Sequence, residues 1–189
     1  MKKKFVIMAI MIVAVLSILM LSGCVPSKPD EFLTKLVETD ECTIVLGEGE
    51  NGSTYTFDGN KVSYKSLKEE TYLVYDKDYV KKYTKLDKGQ WTYEKIEDKS
   101  IIETLDPKKQ KEDLIKKGGL YTENISEQFN ANYVKKDKAW FDKATGKNKV
   151  EISKGSLVVY SGKDRAYTYI LKGYVIIPSD ALQAENNIK

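Results

Sequence analysis

Short segments of alternating apolar and polar residues, separated by turn residues, place the strongest limit on how this chain folds. In one such segment Tyr55 and Phe57 alternate with threonines, the turn sequence Asp58-Gly59-Asn60 follows, and Val62 and Tyr64 resume the alternation. A period of two residues puts the apolar side chains on one face of a strand. Asp-Gly tolerates the positive φ angles of a tight hairpin. Because similar segments recur at the short spacing that is typical of antiparallel sheets and barrels, the pattern predicts a β-rich fold.

Helix signals divide the predicted strands into two groups. Asp30 is a candidate N-cap for a helix at the start of the fold. In the middle of the chain, Asp106-Pro107 supplies an N-cap and a proline at the first helical position, and Gly118-Gly119 supplies the stop. The last strand is predicted over residues 174–178. The predicted class is α+β. An N-terminal helix over residues 31–39 is followed by six strands in meander order over residues 42–96, and a midchain helix over residues 108–117 is followed by a second group of strands over residues 129–178.

The chain contains no histidine, which limits the chemistry that it can perform. This excludes a Ser-His-Asp triad, a Cys-His pair and any metal site with histidine ligands. No spacing of Asp, Glu or Cys matches a metal site, and the sequence contains no nucleophile elbow or phosphate-binding loop. A carboxylate pair of the glycosidase kind stays compatible with the composition, although no spacing indicates one. We therefore expect no enzyme activity, no catalytic residue, no metal and no cofactor.

The first residues of the chain have the pattern of an export signal. Lys2, Lys3 and Lys4 precede an apolar run of 17 residues in which Ser17 is the one polar member, and Leu21-Ser22-Gly23-Cys24 follows. Those last four residues resemble the lipobox of bacterial lipoproteins. The resemblance implies that residues 1–23 are a signal peptide and that Cys24 carries diacylglycerol. A plain signal peptide or an uncleaved anchor is the alternative, but 17 residues make only about 25 Å of helix, less than the roughly 30 Å of a bilayer core.

A lipid on Cys24 would place the protein outside the cytoplasm, anchored to the bacterial cell membrane. Residues 24–30 would then be a lipidated tether, residues 31–178 a single domain, and residues 179–189 a flexible tail. The whole chain has 31 basic and 28 acidic residues, and the three lysines of the signal account for the excess. Since the remainder has no net charge, we expect no nucleic-acid partner. Cys42 lies in an apolar run and is predicted to be a buried, unpaired thiol rather than a reactive one.

Aromatic residues are concentrated in the first group of strands. Six of them occur within 22 residues. They have two interpretations: they form cross-strand pairs over a core, or they form the wall of an apolar cavity. Tyrosine suits such a cavity because its ring is apolar while its hydroxyl stays hydrogen-bonded at the rim. The candidate ligand-binding residues are Tyr72, Tyr75, Tyr79, Tyr83, Trp91, Tyr93 and, further along the chain, Trp140.

The order of these segments resembles the LolA-like and LppX/LprG-like lipoproteins. The resemblance covers most of residues 31–178. It is carried by Asp58-Gly59-Asn60-Lys61-Val62, Tyr79-Val80-Lys81, Gly89-Gln90-Trp91, Leu105-Asp106-Pro107, Gly155-Ser156-Leu157-Val158, Arg165-Ala166-Tyr167-Thr168-Tyr169 and Ile177-Pro178. It implies a strongly curved antiparallel sheet, an incomplete barrel, whose concave side is covered by the N-terminal and midchain helices.

Such a half-barrel implies an apolar cavity, and the expected function is binding of a lipid or another amphipathic ligand by a membrane-anchored surface lipoprotein. LolA itself is a soluble carrier with an arginine inside its cavity, and Arg165 is the only arginine of this chain. Transport of lipoproteins is therefore not part of the expectation. The alternative is a non-enzymatic module with a self-filled core that interacts with a protein or an envelope polymer.

Overall fold

The computed structural model describes residues 26–48, 51–153 and 155–187. The predicted signal peptide and Cys24 lie outside the described residues. The helices are α1 Pro29–Glu38, α2 Lys99–Leu105, α3 Pro107–Lys117, α4 Ile125–Asn132 and α5 Ser179–Gln183, followed by a 3-10 helix over Ala184–Asn187. The strands are β1 Glu41–Leu46, β2 Ser53–Asp58, β3 Lys61–Lys65, β4 Glu69–Tyr75, β5 Val80–Leu86, β6 Thr92–Ile96, β7 Tyr133–Lys136, β8 Ala139–Asp142, β9 Asn148–Ser153, β10 Ser156–Ser161 and β11 Asp164–Ile170.

All eleven strands join one antiparallel sheet in the order β6-β5-β4-β3-β2-β1-β11-β10-β9-β8-β7. Two meanders meet in its centre, where β1 pairs with β2 on one side and with β11 on the other. The sheet is not closed into a barrel, since β6 and β7 lie at opposite ends of this order. The prediction of an α+β fold with one antiparallel sheet and accompanying helices is confirmed, as is the six-strand meander over β1–β6.

Local signals at two turns act as the sequence predicts. Gly59 adopts a φ of 58° in the hairpin between β2 and β3, where Asp58 pairs with Lys61. At the start of α3, Asp106 Oδ1 accepts a hydrogen bond of 2.9 Å from the backbone N–H of Lys109, and Pro107 is the first helical residue. The cap satisfies a backbone donor that the first helical turn leaves free.

One face of the sheet is buried under α1, α3 and α4. We call it the helix-covered face and define it by the inward residues Cys42, Ile44, Phe57, Leu73 and Leu157. The helices contribute large apolar side chains to the same core, and several are fully buried. Full burial of one such side chain is worth about 1.5–3 kcal/mol, so this layer dominates the packing of the domain. The helical contribution consists of Phe32, Leu33, Leu36, Leu114, Ile115 and Phe129.

The opposite face of β4–β6 is covered by the end of the chain. We call residues 173–187 the C-terminal tail, and the surface formed by Tyr72, Tyr83, Trp91 and Tyr93 the tail-covered face. Val175 and Ala181 of the tail are buried against it. The two faces of this meander are therefore buried by different parts of the chain.

The second group of strands differs from the prediction at both ends. Residues 129–132 belong to α4, because Phe129 is buried in the core and its ring stacks on Tyr133 at a centroid distance of 4.5 Å. The strand predicted over residues 174–178 does not form, because β11 is already paired on both edges, with β1 and with β10. Residues 179–187, expected within a flexible tail, instead form α5 and the 3-10 helix.

The helices also depart from the sequence-based boundaries. α1 begins at Pro29 with Lys28 as N-cap, so Asp30 lies inside the first turn and its Oδ2 accepts a hydrogen bond of 3.0 Å from Ser126 Oγ. α2 has no counterpart in the prediction, although Asp98 caps it through Ser100 N–H at 2.9 Å. None of the helices in the described ranges is long and apolar enough to cross a bilayer.

Candidate functional site

Four of the aromatic residues singled out in the sequence meet on the tail-covered face. Tyr72, Tyr83 and Tyr93 are direct cross-strand neighbours on β4, β5 and β6. The rings of Tyr83 and Tyr93 lie 5.4 Å apart, and Trp91 lies 5.7 Å from Tyr72. Contacts of this kind stabilise a sheet by about 0.2–1 kcal/mol per pair. Tyr79, just before β5, is part of the same region, with Lys95 Nζ 4.5 Å from its ring centroid.

The hydroxyl groups on this face are held by carboxylates. Tyr83 OH donates a hydrogen bond of 2.7 Å to Glu185 Oε1, which also forms an ion pair of 2.9 Å with Lys81 Nζ. Burial alone would raise the pKa of the Glu185 carboxyl, but the hydrogen bonds from Lys81 and Tyr83 outweigh it and hold that pKa below its ordinary value. Tyr72 OH similarly donates to Glu70 Oε1 at 2.6 Å.

Trp91 is an exception to this pattern of satisfied polar groups. Among the described residues, its indole Nε1 is the buried side-chain nitrogen that has no hydrogen-bond partner. Beside the ring lies an open cavity of about 390 Å³, lined by Lys85, Gln90, Asp180 and Gln183 among others. The tail-covered face therefore combines aromatic walls, a bound carboxylate and one unpaired donor.

Tyr75 and Trp140 lie elsewhere. Tyr75 belongs to the helix-covered face, where its hydroxyl donates to the carbonyl oxygen of Leu105 and accepts a hydrogen bond of 3.1 Å from Gln110 Nε2. Trp140 is half-buried at the edge of the same core, on β8 opposite Val150. The seven candidate residues thus do not line one surface: the structure divides them between the two faces of the sheet.

A buried lysine under α3 was not singled out in the sequence. Lys111 Nζ donates to the carbonyl oxygens of Val37 at 2.9 Å and Thr39 at 2.5 Å, so it satisfies acceptors at the end of α1. Burial lowers the pKa of its ammonium group. The one sequence signal that could have identified it is its position four residues before Ile115 on the inward side of α3.

Cys42 lies near Lys111 and is fully buried, as predicted. Burial raises the pKa of its thiol to about 12, with Lys111 acting in the opposite direction. The thiolate is the nucleophilic form of cysteine, so this side chain packs as a small apolar group. Across the described ranges, no three His, Cys, Asp or Glu side chains come together in a group that could hold a metal ion.

Comparison of the chain with protein-family models, with curated proteins and with solved structures gives no match.

Proposed function

We propose that the protein is a membrane-anchored lipoprotein whose sheet and helices enclose a site for a lipid or another amphipathic ligand. The anchor is Cys24, after removal of residues 1–23, as the lipobox-like sequence implies. Pro26, two residues later, is already buried in the fold. Because two extended residues span only about 7 Å, the domain would stay at the membrane surface.

The observation that carries the ligand proposal is the continuous apolar layer between an open sheet and three helices. The proposed site lies between the helix-covered face and α1, α3 and α4, with these helices covering a concave side of the sheet. Half-buried aromatic side chains border the layer, among them Tyr75 and Trp140. An acyl chain entering there would replace contacts of the same apolar kind, and the aromatic rims suit the polar end of an amphipathic molecule.

One observation favours the alternative, an interaction module with a self-filled core. Phe32, Leu33 and Leu36 of α1 are fully buried in the same core as Ile44 and Leu157 of the sheet. A layer filled in this way accepts a ligand only if the helices move. In the alternative they stay in place, and the outer surface of the domain contacts a protein or an envelope polymer.

A single experiment separates these functions. The chain contains two tryptophans, Trp140 beside the helix-covered face and Trp91 on the tail-covered face. Residues 25–189, which include every described residue, are purified as Trp91→Phe and as Trp140→Phe and titrated with a brominated phospholipid. In Trp91→Phe, where Trp140 is the reporter, we expect saturable quenching of the tryptophan fluorescence. We also expect organic extraction of the purified protein to recover lipid. A protein that carries no lipid and shows no quenching of Trp140 in Trp91→Phe would overturn the ligand proposal and favour the interaction module.

The anchor has its own test in cells. Cys24→Ala in the full chain should abolish incorporation of radioactive palmitate and release the protein from the membrane fraction. Cys42→Ala is the matched control, because it removes the other cysteine and should leave labelling unchanged. Labelling that persists in Cys24→Ala would show that the anchor is assigned wrongly.

A further inference from the structure

We propose that the tail-covered face is a second ligand site, for long-chain carboxylates of the fatty-acid class, and that the C-terminal tail occupies it as an internal ligand. This site is on the opposite face of the sheet from the one proposed above and does not depend on it. Three features carry the inference: how the tail is attached, which groups hold its carboxylate, and what surrounds that carboxylate.

The tail is attached to the sheet by a small number of specific contacts. Its residues 173–178 join no strand of the sheet. Val175 N–H donates a hydrogen bond of 3.0 Å to Asp58 Oδ2 near one end, and Glu185 is bound near the other. On either side of Val175 the tail directs large apolar side chains to solvent: Tyr174 is 71% exposed and Ile176 is 81% exposed. The tail buries only a few apolar side chains against the sheet, Val175 and Ala181 among them, so its docking gains little from apolar burial and a competing ligand can displace it.

The carboxylate of Glu185 accepts hydrogen bonds from a pair of donors that could equally bind the carboxylate of another molecule. Lys81 and Tyr83 project from the same face of β5, two residues apart, and both contact Glu185 Oε1. A charged ammonium and a phenolic O–H directed at one oxygen are the charge-assisted donors that carboxylates prefer. None of the three residues belongs to the helix-covered core. Their arrangement is thus a binding position for a carboxylate rather than part of the central packing.

Apolar and aromatic surface continues from this position. The Tyr83–Tyr93 and Tyr72–Trp91 ring pairs lie under the tail and supply this surface. The open cavity of about 390 Å³ beside Trp91 has a mainly polar lining that includes Lys85 and Asp180, so it borders the apolar surface rather than extending it. The tail fills this surface with only a few buried side chains, Val175 and Ala181 among them, and leaves Trp91 Nε1 without a partner. A long-chain carboxylate matches both parts: its head replaces Glu185, and its hydrocarbon chain covers the rings.

The test uses residues 25–189 with Trp140→Phe, so that Trp91 reports binding, and laurate as the probe. Glu185→Ala vacates the carboxylate position. Glu94→Ala is the matched control, because it removes an exposed carboxylate on β6 that pairs with Lys82 on the other face. We expect laurate to bind Glu185→Ala at least tenfold more tightly than Glu94→Ala. Methyl laurate should show no such gain, and adding Lys81→Met should remove it.

Equal laurate affinity in Glu185→Ala and Glu94→Ala overturns the proposal, as does equal binding of laurate and its methyl ester. If Glu185→Ala fails to fold, amide hydrogen exchange of the unsubstituted chain tests the same proposal. Saturating laurate should accelerate amide hydrogen exchange across residues 173–187 at least several-fold and leave α1 unchanged. Unchanged exchange in the tail also overturns the proposal. Failure of this site is distinguishable from failure of the helix-covered site, because the latter is read from Trp140.

Discussion

The two faces of the first meander are both covered, but in different ways. The helix-covered face is closed by α1, α3 and α4 through fully buried aliphatic and aromatic side chains. The tail-covered face is closed by a segment that is irregular over residues 173–178 and forms short helices over residues 179–187. Its largest buried side chains, Tyr72 and Tyr83, each donate their hydroxyl hydrogen bond to a carboxylate. The first layer buries many large apolar side chains, whereas the second buries few and depends on hydrogen bonds that weaken steeply away from good geometry. We therefore expect the helix-covered face to set global stability and the tail-covered face to open locally.

The largest expected effect comes from truncating a side chain in the core under the helix-covered face, which tests whether this face sets global stability. Phe32→Ala removes a fully buried ring and should lower the free energy of unfolding by about 3–5 kcal/mol. Urea unfolding followed by circular dichroism measures it. Ile176→Ala, at an exposed position of the tail, is the control and should change stability by less than about 0.5 kcal/mol. Similar losses in the two variants would contradict the assignment of the core.

The tail can be displaced at its first residue. A Cβ on Gly173 would lie 2.5 Å from the carbonyl oxygen of Cys42 and 2.6 Å from that of Phe57, and backbone atoms there cannot move freely. Gly173→Ala should therefore cost about 1–3 kcal/mol and raise amide exchange in the tail. The neighbouring substitution Lys172→Ala serves as control. If the tail of Gly173→Ala stays as protected as that of the control, the close approach does not govern docking.

A smaller effect is expected from one hydroxyl group. Tyr83→Phe keeps the ring but removes the donor to Glu185 Oε1, and should cost about 1–2 kcal/mol because the acceptor is charged. The same exchange at Tyr174, which is largely exposed, should cost close to nothing. Thermal unfolding of the two variants in parallel measures the difference. Equal stability would mean that the hydrogen bond from Tyr83 contributes nothing to holding Glu185.

The smallest effect concerns pH. Since the pKa of Glu185 is lowered in the folded protein, its contribution to stability is complete above its ordinary pKa of 4.5 and is lost as pH falls through the folded value. Glu70, whose pKa is also lowered, acts in the same direction on this face. In Trp140→Phe, the fluorescence of Trp91 should therefore change at acid pH before the helix signal does. Glu185→Gln should reduce that early change, and an identical profile would exclude Glu185 as its source.

The parts of the fold that were predictable are those fixed by neighbours in the chain. The hairpin at Gly59 and the helix cap at Asp106 are read from three or four consecutive residues. The burial of Cys42 follows from the apolar run around it. α4 was missed because its main core residue, Phe129, is also typical of a strand, and only contact with the rest of the core decides between the two.

The sequence indicated the aromatic members of the tail-covered face, Tyr72, Tyr83, Trp91 and Tyr93, but neither their partner Glu185 nor the placement of Tyr75 and Trp140 elsewhere. Alternation along β4 places Tyr72 and Tyr75, which are three residues apart, on opposite faces of the sheet, but only the register between β4 and β5 brings Tyr72 beside Tyr83. Which partner covers each face is decided at long range: Tyr83 meets Glu185 across 102 residues, and Val175 meets Asp58 across 117. Residue patterns report the period of a strand and the chemistry of a turn. The choice between a helix layer and a folded-back tail depends on which distant segment buries more apolar surface and satisfies more polar groups, and that is settled only when the chain packs.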